Sequence, residues 1–194
     1  MIKLLNYLGR LRSDTRGVGA IEFAAAAPVL ILLYCGGYQL MDAISAYRKV
    51  TVTARSLSDL TTRQEEMTDD KAQEYMNAAT QVMAPYSASN IDMRITQIFI
   101  NAAGVPKLNW TRTTDSLSLK SKNLTVPASM RVPNTYLIQS TVTYHYDPVI
   151  APSLIGSLNF RDTIYMSPRR SASIPMSGSC SSLRCQIVNL LTDS

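Results

Sequence analysis

The stretch Arg16–Met41, RGVGAIEFAAAAPVLILLYCGGYQLM, decides how the rest of the chain is read. After Arg16 its one charge is Glu22, near its beginning, and from Phe23 to Leu40 eighteen residues carry no formal charge. At about 1.5 Å of rise per residue such a helix reaches roughly 27 Å, close to the hydrocarbon thickness of a bilayer. The stretch reads as a membrane-spanning helix.

Glu22 needs a partner. A carboxylate costs about 2.5 to 3.5 kcal/mol near a bilayer centre and less near an interface, so one inside a span marks an interaction. A cut after Gly17 makes Val18 the new amino terminus and Glu22 the fifth residue of the shortened chain. In a helical stack, the Glu22 carboxylate of one subunit then meets the Val18 amine of the next, and both charges are neutralised in a low-dielectric setting.

With a short basic leader ending in Gly17 and Glu22 fifth after the cut, the sequence resembles the type IV prepilins. More narrowly, Gly17 followed by Val18, Gly19, Ala20, Ile21, Glu22 and Phe23, and then Pro28, is similar to the TadE-like pseudopilins of the tight-adherence (Flp) pilus system. The motif covers about thirty residues, and its place at the head of a span after a basic leader makes it specific. The resemblance implies cutting after Gly17 by a prepilin peptidase and methylation of the Val18 amine. It further implies assembly with other pilin and pseudopilin subunits by inner-membrane machinery, in the service of adhesion or secretion.

The net charge of +5 suggests nucleic acid until it is located. Lys3, Arg10, Arg12 and Arg16 against Asp14 put +3 in the leader, and the chain after Gly17 carries 15 Lys and Arg against 13 Asp and Glu, scattered rather than clustered on one face. No nucleic-acid partner is expected. Basic residues flanking a span stay in the cytoplasm, so residues 1–17 are expected inside and the remainder outside, in the periplasm of a bacterial cell. Three segments follow: a cytoplasmic leader 1–17, a spine helix 18–62, and an α+β domain 63–194, long enough to bury a modest core. Ile2, Leu4, Leu5, Tyr7, Leu8 and Leu11 suit either a leader helix lying on the inner membrane surface or a disordered basic leader.

Two other processing schemes compete. A secretory signal has its apolar core before the cut, and Ala24–Gly37 fits that shape only when forced. A lipoprotein signal would use Cys35, but Tyr34 stands where a small residue normally precedes the lipidated cysteine. Cys35 within a span behaves as a small hydrophobe. Cys180 and Cys185, in CSSLRC, fall on the expected outer side, where a disulfide persists; closing so small a loop adds about 2 to 3 kcal/mol at most, so its use is to pin the tail. No metal site or cofactor is expected, because zinc would need two further ligands and His145 is the sole histidine.

Pro28 removes a backbone hydrogen bond and disturbs the carbonyl of Ala24, which predicts a bend or loosening. Gly36, Gly37 and Ala24–Ala27 allow a neighbouring helix to approach closely, although small residues are common in any span. Beyond Met41, Ile44, Tyr47, Val50, Ala54, Leu57 and Leu60 recur at helical spacing, which predicts an amphipathic continuation to about Thr62. Asp69 and Asp70 open a second predicted helix, Asp69–Ala84, ended by Pro85. Alternation over Ile91–Ile100, a turn at Asn101–Gly104 and a strand Val105–Arg112 predict a hairpin. Residues 113–134 read as loop with a short strand near Leu124–Val126; Thr135–Tyr146 reads as a strand. Residues 147–159 read as a connection or short helix around Leu154, and Phe160–Ser167 as a strand that Arg169–Met176 extends past Pro168. The expected fold is α+β, a long spine helix laid on an antiparallel sheet in the manner of type IV pilins. The order Tyr144, His145, Tyr146, Asp147, Pro148 and then Met166, Ser167, Pro168, Arg169 resembles the carboxyl half of TadE-like proteins.

No catalytic residues are assigned. The sequence holds no G-x-S-x-G, P-loop or C-x-x-C, and a lone histidine in a strand is more often packed or solvated than catalytic. Glu65, Glu66, Asp69 and Asp70 read as solvated faces and helix caps, and Arg169 with Arg170 as a solvated basic pair or a site for an acidic partner. The expected protein is a single-pass inner-membrane minor pilin or pseudopilin. The alternatives are an unprocessed anchor carrying a periplasmic binding module and, more remotely, an anchored hydrolase.

Overall fold

The computed structural model describes residues 17–114, 124–148, 150 and 156–177. Helix α1 (Val18–Thr62) runs without interruption through Pro28. The chain divides into two compact units, Met1–Asp42 and Ala43–Ser194, so each unit holds one part of α1.

In the first unit the large apolar side chains of α1 are exposed, from Val18 to Met41, while Gln39 is buried, and the residues around Gly19, Gly36 and Gly37 leave open space where a side chain would stand. In the second unit α1 buries Ala46, Val50, Thr53, Ala54, Leu57, Ser58 and Thr61. That stripe corrects the expected one: Ile44 and Tyr47 are exposed and Leu60 is half-buried, whereas Ala46 and the hydroxyl residues turn inward. Small side chains let the helix come close to a flat sheet, and apolar spacing alone favours the larger ones. The inward hydroxyls of Thr53 and Ser58 on α1 and of Ser140 on the sheet have no hydrogen-bond partner among the described residues.

Helix α2 (Asp69–Val82) starts at Thr68, whose hydroxyl accepts from the Lys71 amide at 3.2 Å. Asp69 and Asp70 fill its first turn, where carboxylates favour the helix dipole. Its buried residues Ala72, Met76 and Ala79, followed by Met83, join the same core as α1.

The sheet has four antiparallel strands in the order β2-β1-β3-β4: β1 (Ile91–Ile100), β2 (Pro106–Thr113), β3 (Thr135–Tyr146) and β4 (Leu158–Met166). The hairpin, β3 and β4 fall within a residue or two of their expected places. The β1–β2 register shifts between Gln97 and Ile98, which leaves Asn109 as the extra residue of a bulge. One face of the sheet, with Ile91, Met93, Ile95, Ile138, Val142 and Tyr144, packs with the two helices. The other face is mainly polar, with Thr96, Thr111, Thr141 and Thr163 facing across adjacent strands. A second, smaller core of Ile98, Ile100, Val126 and Leu137 covers one end of it.

Two expectations are corrected. Leu124–Val126 forms no strand; Val126 packs instead into the smaller core, and the Thr125 carbonyl accepts from the Tyr165 hydroxyl. Burial raises the pKa of that hydroxyl above its ordinary value. Arg169–Met176 does not prolong β4: the chain turns away after Met166, and only Met176 pairs, in parallel, with Met67. Arg169 and Arg170 are exposed, as a solvated basic pair would be, and each also meets a carboxylate of the same unit, as described below. The expected helix around Leu154 lies outside the described residues.

Candidate functional site

The head of α1 gathers the residues that the sequence singles out. Gly17 accepts a bond from the Ile21 amide at 3.1 Å, so the first helical turn closes directly on the expected cleavage position. Val18, Ile21 and Phe23 are exposed by 48, 71 and 69%, so this end of the helix offers apolar surface with no cover from the chain itself. Glu22 is exposed and makes no ion pair among the described residues. Pro28 lies inside the helix and Cys35 is a free, half-buried thiol. Among the described residues, α1 is the one helix long and apolar enough to cross a membrane, and its most apolar window has no residue buried within the chain. Cys180 and Cys185 lie outside the described residues.

The expected acid and base residues are distributed elsewhere in the second unit. Asp69, in the first turn of α2, pairs with Arg112, Glu65 pairs with Arg170 at 3.1 Å, and Asp59 joins both Arg63 at 2.5 Å and Arg169 at 2.8 Å. The two arginines therefore tie the segment after β4 to the end of α1.

That segment is a strap which sequence reasoning missed. The Arg169 amide donates to the Thr62 carbonyl at 2.9 Å and so satisfies an open carbonyl at the end of α1. Farther along, the Met67 amide donates to the Pro175 carbonyl and the Ser177 amide to the Met67 carbonyl, at 2.9 and 2.8 Å. Between them the Trp110 indole donates to both the Gln97 side-chain carbonyl (3.0 Å) and the Ile174 carbonyl (2.8 Å), and the Ile174 amide donates to Gln97 at 3.2 Å. The available signal was Gln97, a polar residue in the inward phase of an otherwise apolar strand, together with the chain's single tryptophan.

His145, at the far end of β3, places Nε2 at 2.8 Å from the Asp92 carboxylate and Nδ1 at 2.6 Å from the Asn159 side-chain oxygen. These bonds, the Asp92 one foremost, raise its pKa above the usual histidine value, with the negative charge of Asp147 adding to the effect. Both ring nitrogens are thus engaged, one by the Asp92 carboxylate and the other by the Asn159 side chain. Among the described residues no three His, Cys, Asp or Glu side chains gather as a metal site would require.

No protein-family model, curated protein or solved structure matches this chain.

Proposed function

We propose that this protein is a minor pilin or pseudopilin of a tight-adherence type IV pilus. It is held in the bacterial inner membrane by the first half of α1, with residues 1–17 in the cytoplasm and the α+β unit in the periplasm. A prepilin peptidase cuts it after Gly17, and the spine helices of neighbouring pilin subunits then bundle. The observation that carries the reading is the exposed head of α1, where Val18, Ile21 and Phe23 surround a carboxylate, Glu22, that has no mate among the described residues. A second subunit's new amine at Val18 supplies that mate, and it lowers the cost of burying either charge in an apolar bundle.

Mass spectrometry of the chain from cells carrying the prepilin peptidase tests the first step: a terminus at Val18 is expected, and an intact Met1 would instead support an unprocessed anchor that uses its sheet for binding. Glu22→Gln is expected to leave membrane insertion unchanged and to reduce processing or pilus assembly at least tenfold, since a difference of about 1.4 kcal/mol already changes an equilibrium by that factor. Normal pili from that variant would sink the proposed role of Glu22.

A further inference from the structure

The uncharged run of α1 ends at Leu40, and Asp42 is the first charge after it. The tyrosines of α1, Tyr34, Tyr38 and Tyr47, all stand around that point, and each is exposed. Tyrosine rings, apolar in body and polar at the tip, collect where a membrane meets water. The helix is continuous there. At about 1.5 Å of rise per residue Ile44 and Tyr47 therefore lie about 3 and 8 Å beyond Asp42 along its axis, within a headgroup layer about 5 to 8 Å deep.

Ile44, Tyr47 and Arg48, three and four residues apart, are neighbours on one side of α1. All three are exposed, Ile44 by 39% and Tyr47 by 48%. Tyr47 carries this surface on to the sheet, for its ring meets that of Phe160 in β4 edge-on, with centroids 6.0 Å apart. Leu158, two residues earlier on β4, stands on the same face of the strand and is 38% exposed. Behind them Phe160 rests on Tyr146 at 5.4 Å. Strand β4 is the edge of the sheet and pairs with β3 alone among the described residues. Arg48 makes no ion pair among the described residues.

Fewer than two helical turns tie this surface to the end of the apolar run. It meets lipid headgroups at a local concentration that no diffusing partner matches. Isoleucine and leucine enter the acyl boundary there, while the Tyr47 hydroxyl and the Arg48 guanidinium stay among phosphates and water.

We infer that Ile44 and Tyr47 of α1, with Leu158 and Phe160 of β4, form a corner of the second unit that rests in the headgroup layer of the bilayer holding α1. The inference rests on the reading of α1 as a membrane anchor; it needs neither cleavage nor pilus assembly.

The test uses the full chain reconstituted in phosphatidylcholine vesicles, with a tryptophan placed at one exposed position in each of four variants. These are Leu33→Trp in the apolar run, Tyr47→Trp and Leu158→Trp at the corner, and Val132→Trp shortly before β3, at the end of the sheet away from Leu158. Emission of the unaltered chain, which comes from the buried Trp110, is subtracted. Phosphatidylcholine brominated at the top of its acyl chains then quenches any tryptophan that reaches the boundary. Leu33→Trp is expected to be quenched, and its failure would count against the anchor rather than the corner. Tyr47→Trp and Leu158→Trp are each expected to lose at least about half of the added emission, and Val132→Trp at most about a tenth. Tyr47→Trp keeps an interfacial aromatic, so it reports even where Leu158→Trp disturbs the strand. Quenching of Leu33→Trp without quenching at either corner position would overturn the inference and leave the anchor in place. Equal losses at Leu158 and Val132 would also overturn it. So would quenching at the corner that appears only once the chain is strongly diluted in lipid, which would assign that surface to a second copy.

Discussion

The two parts of α1 invert the usual relation between apolarity and burial. The part from Val18 to Met41 is the more apolar, and it exposes Leu30, Ile31, Leu32 and Leu33 by 58 to 73%. The part from Ala43 to Thr62 carries Arg48, Lys49, Arg55 and Asp59, yet it holds the helix side of the main core through Ala46, Val50, Ala54 and Leu57. Burial inside a chain follows from having a partner of the right shape within that chain. An apolar face without one belongs to another solvent or another molecule.

Paired truncations give the largest expected contrast. Leu57 is fully buried between helix and sheet, so Leu57→Ala should cost the second unit about 2 to 5 kcal/mol, the range for a leucine truncated in a packed core. Leu33→Ala removes as many atoms from a side chain exposed by 73% and should leave unfolding of that unit unchanged. Urea titration of both variants in detergent, followed by Trp110 fluorescence, reads the difference. Equal losses would mean that the two parts of α1 do not divide as described.

The long helix, the α2 start at Asp69 and the four strands were legible because each rests on a local signal: an uncharged run, a pair of carboxylates at a helix start, or alternation over ten residues or so. The side of α1 that packs was not legible beyond Val50, Ala54 and Leu57. Near Ala43 the sheet selects Ala46 for its small size, and Ile44 and Tyr47, which apolar spacing favours, lie outside. The strap was hidden for a different reason. Its bonds join Ile174 to Gln97 and Arg169 to Thr62, and pairings so distant in sequence leave no periodic trace. Of the candidate site, Gly17, Val18, Glu22 and Phe23 were all legible because one helical head contains them.

The strap sharpens the comparison, since it seals the end of the buried part of α1. Gln97→Leu keeps the shape of the inward side chain but removes the acceptor that serves both the Trp110 indole and the Ile174 amide. The indole retains the Ile174 carbonyl, and the amide is left buried without a partner, at a cost of about 1 to 3 kcal/mol. Trypsin should then cut after Arg169 or Arg170 several-fold faster than in the unaltered chain, because those ion pairs hold only while the strap is seated. Cleavage at an unchanged rate would show that the arginine pairs with Asp59 and Glu65 hold the strap without Gln97.

The smallest effect is the dependence on pH, and it too belongs to the second unit, which contains the chain's sole histidine. His145 sits between Asp92 of β1 and Asn159 of β4, and its pKa is raised chiefly by the Asp92 bond. A base whose pKa is higher in the folded state stabilises that state below its unfolded value, near 6.5, and the benefit is lost as pH rises through the folded value. The unaltered chain should therefore lose thermal stability relative to His145→Gln as pH increases from about 6 to 8. The difference should be small, because the side chains of His145 and Asp92 are 47 and 39% exposed and water screens the pair. Asp92→Asn should flatten the difference and return the histidine's NMR titration midpoint toward its ordinary value. If that midpoint is already ordinary in the unaltered chain, the contact between Asp92 and His145 joins the strands without responding to pH, and the buried part of α1 draws nothing from it.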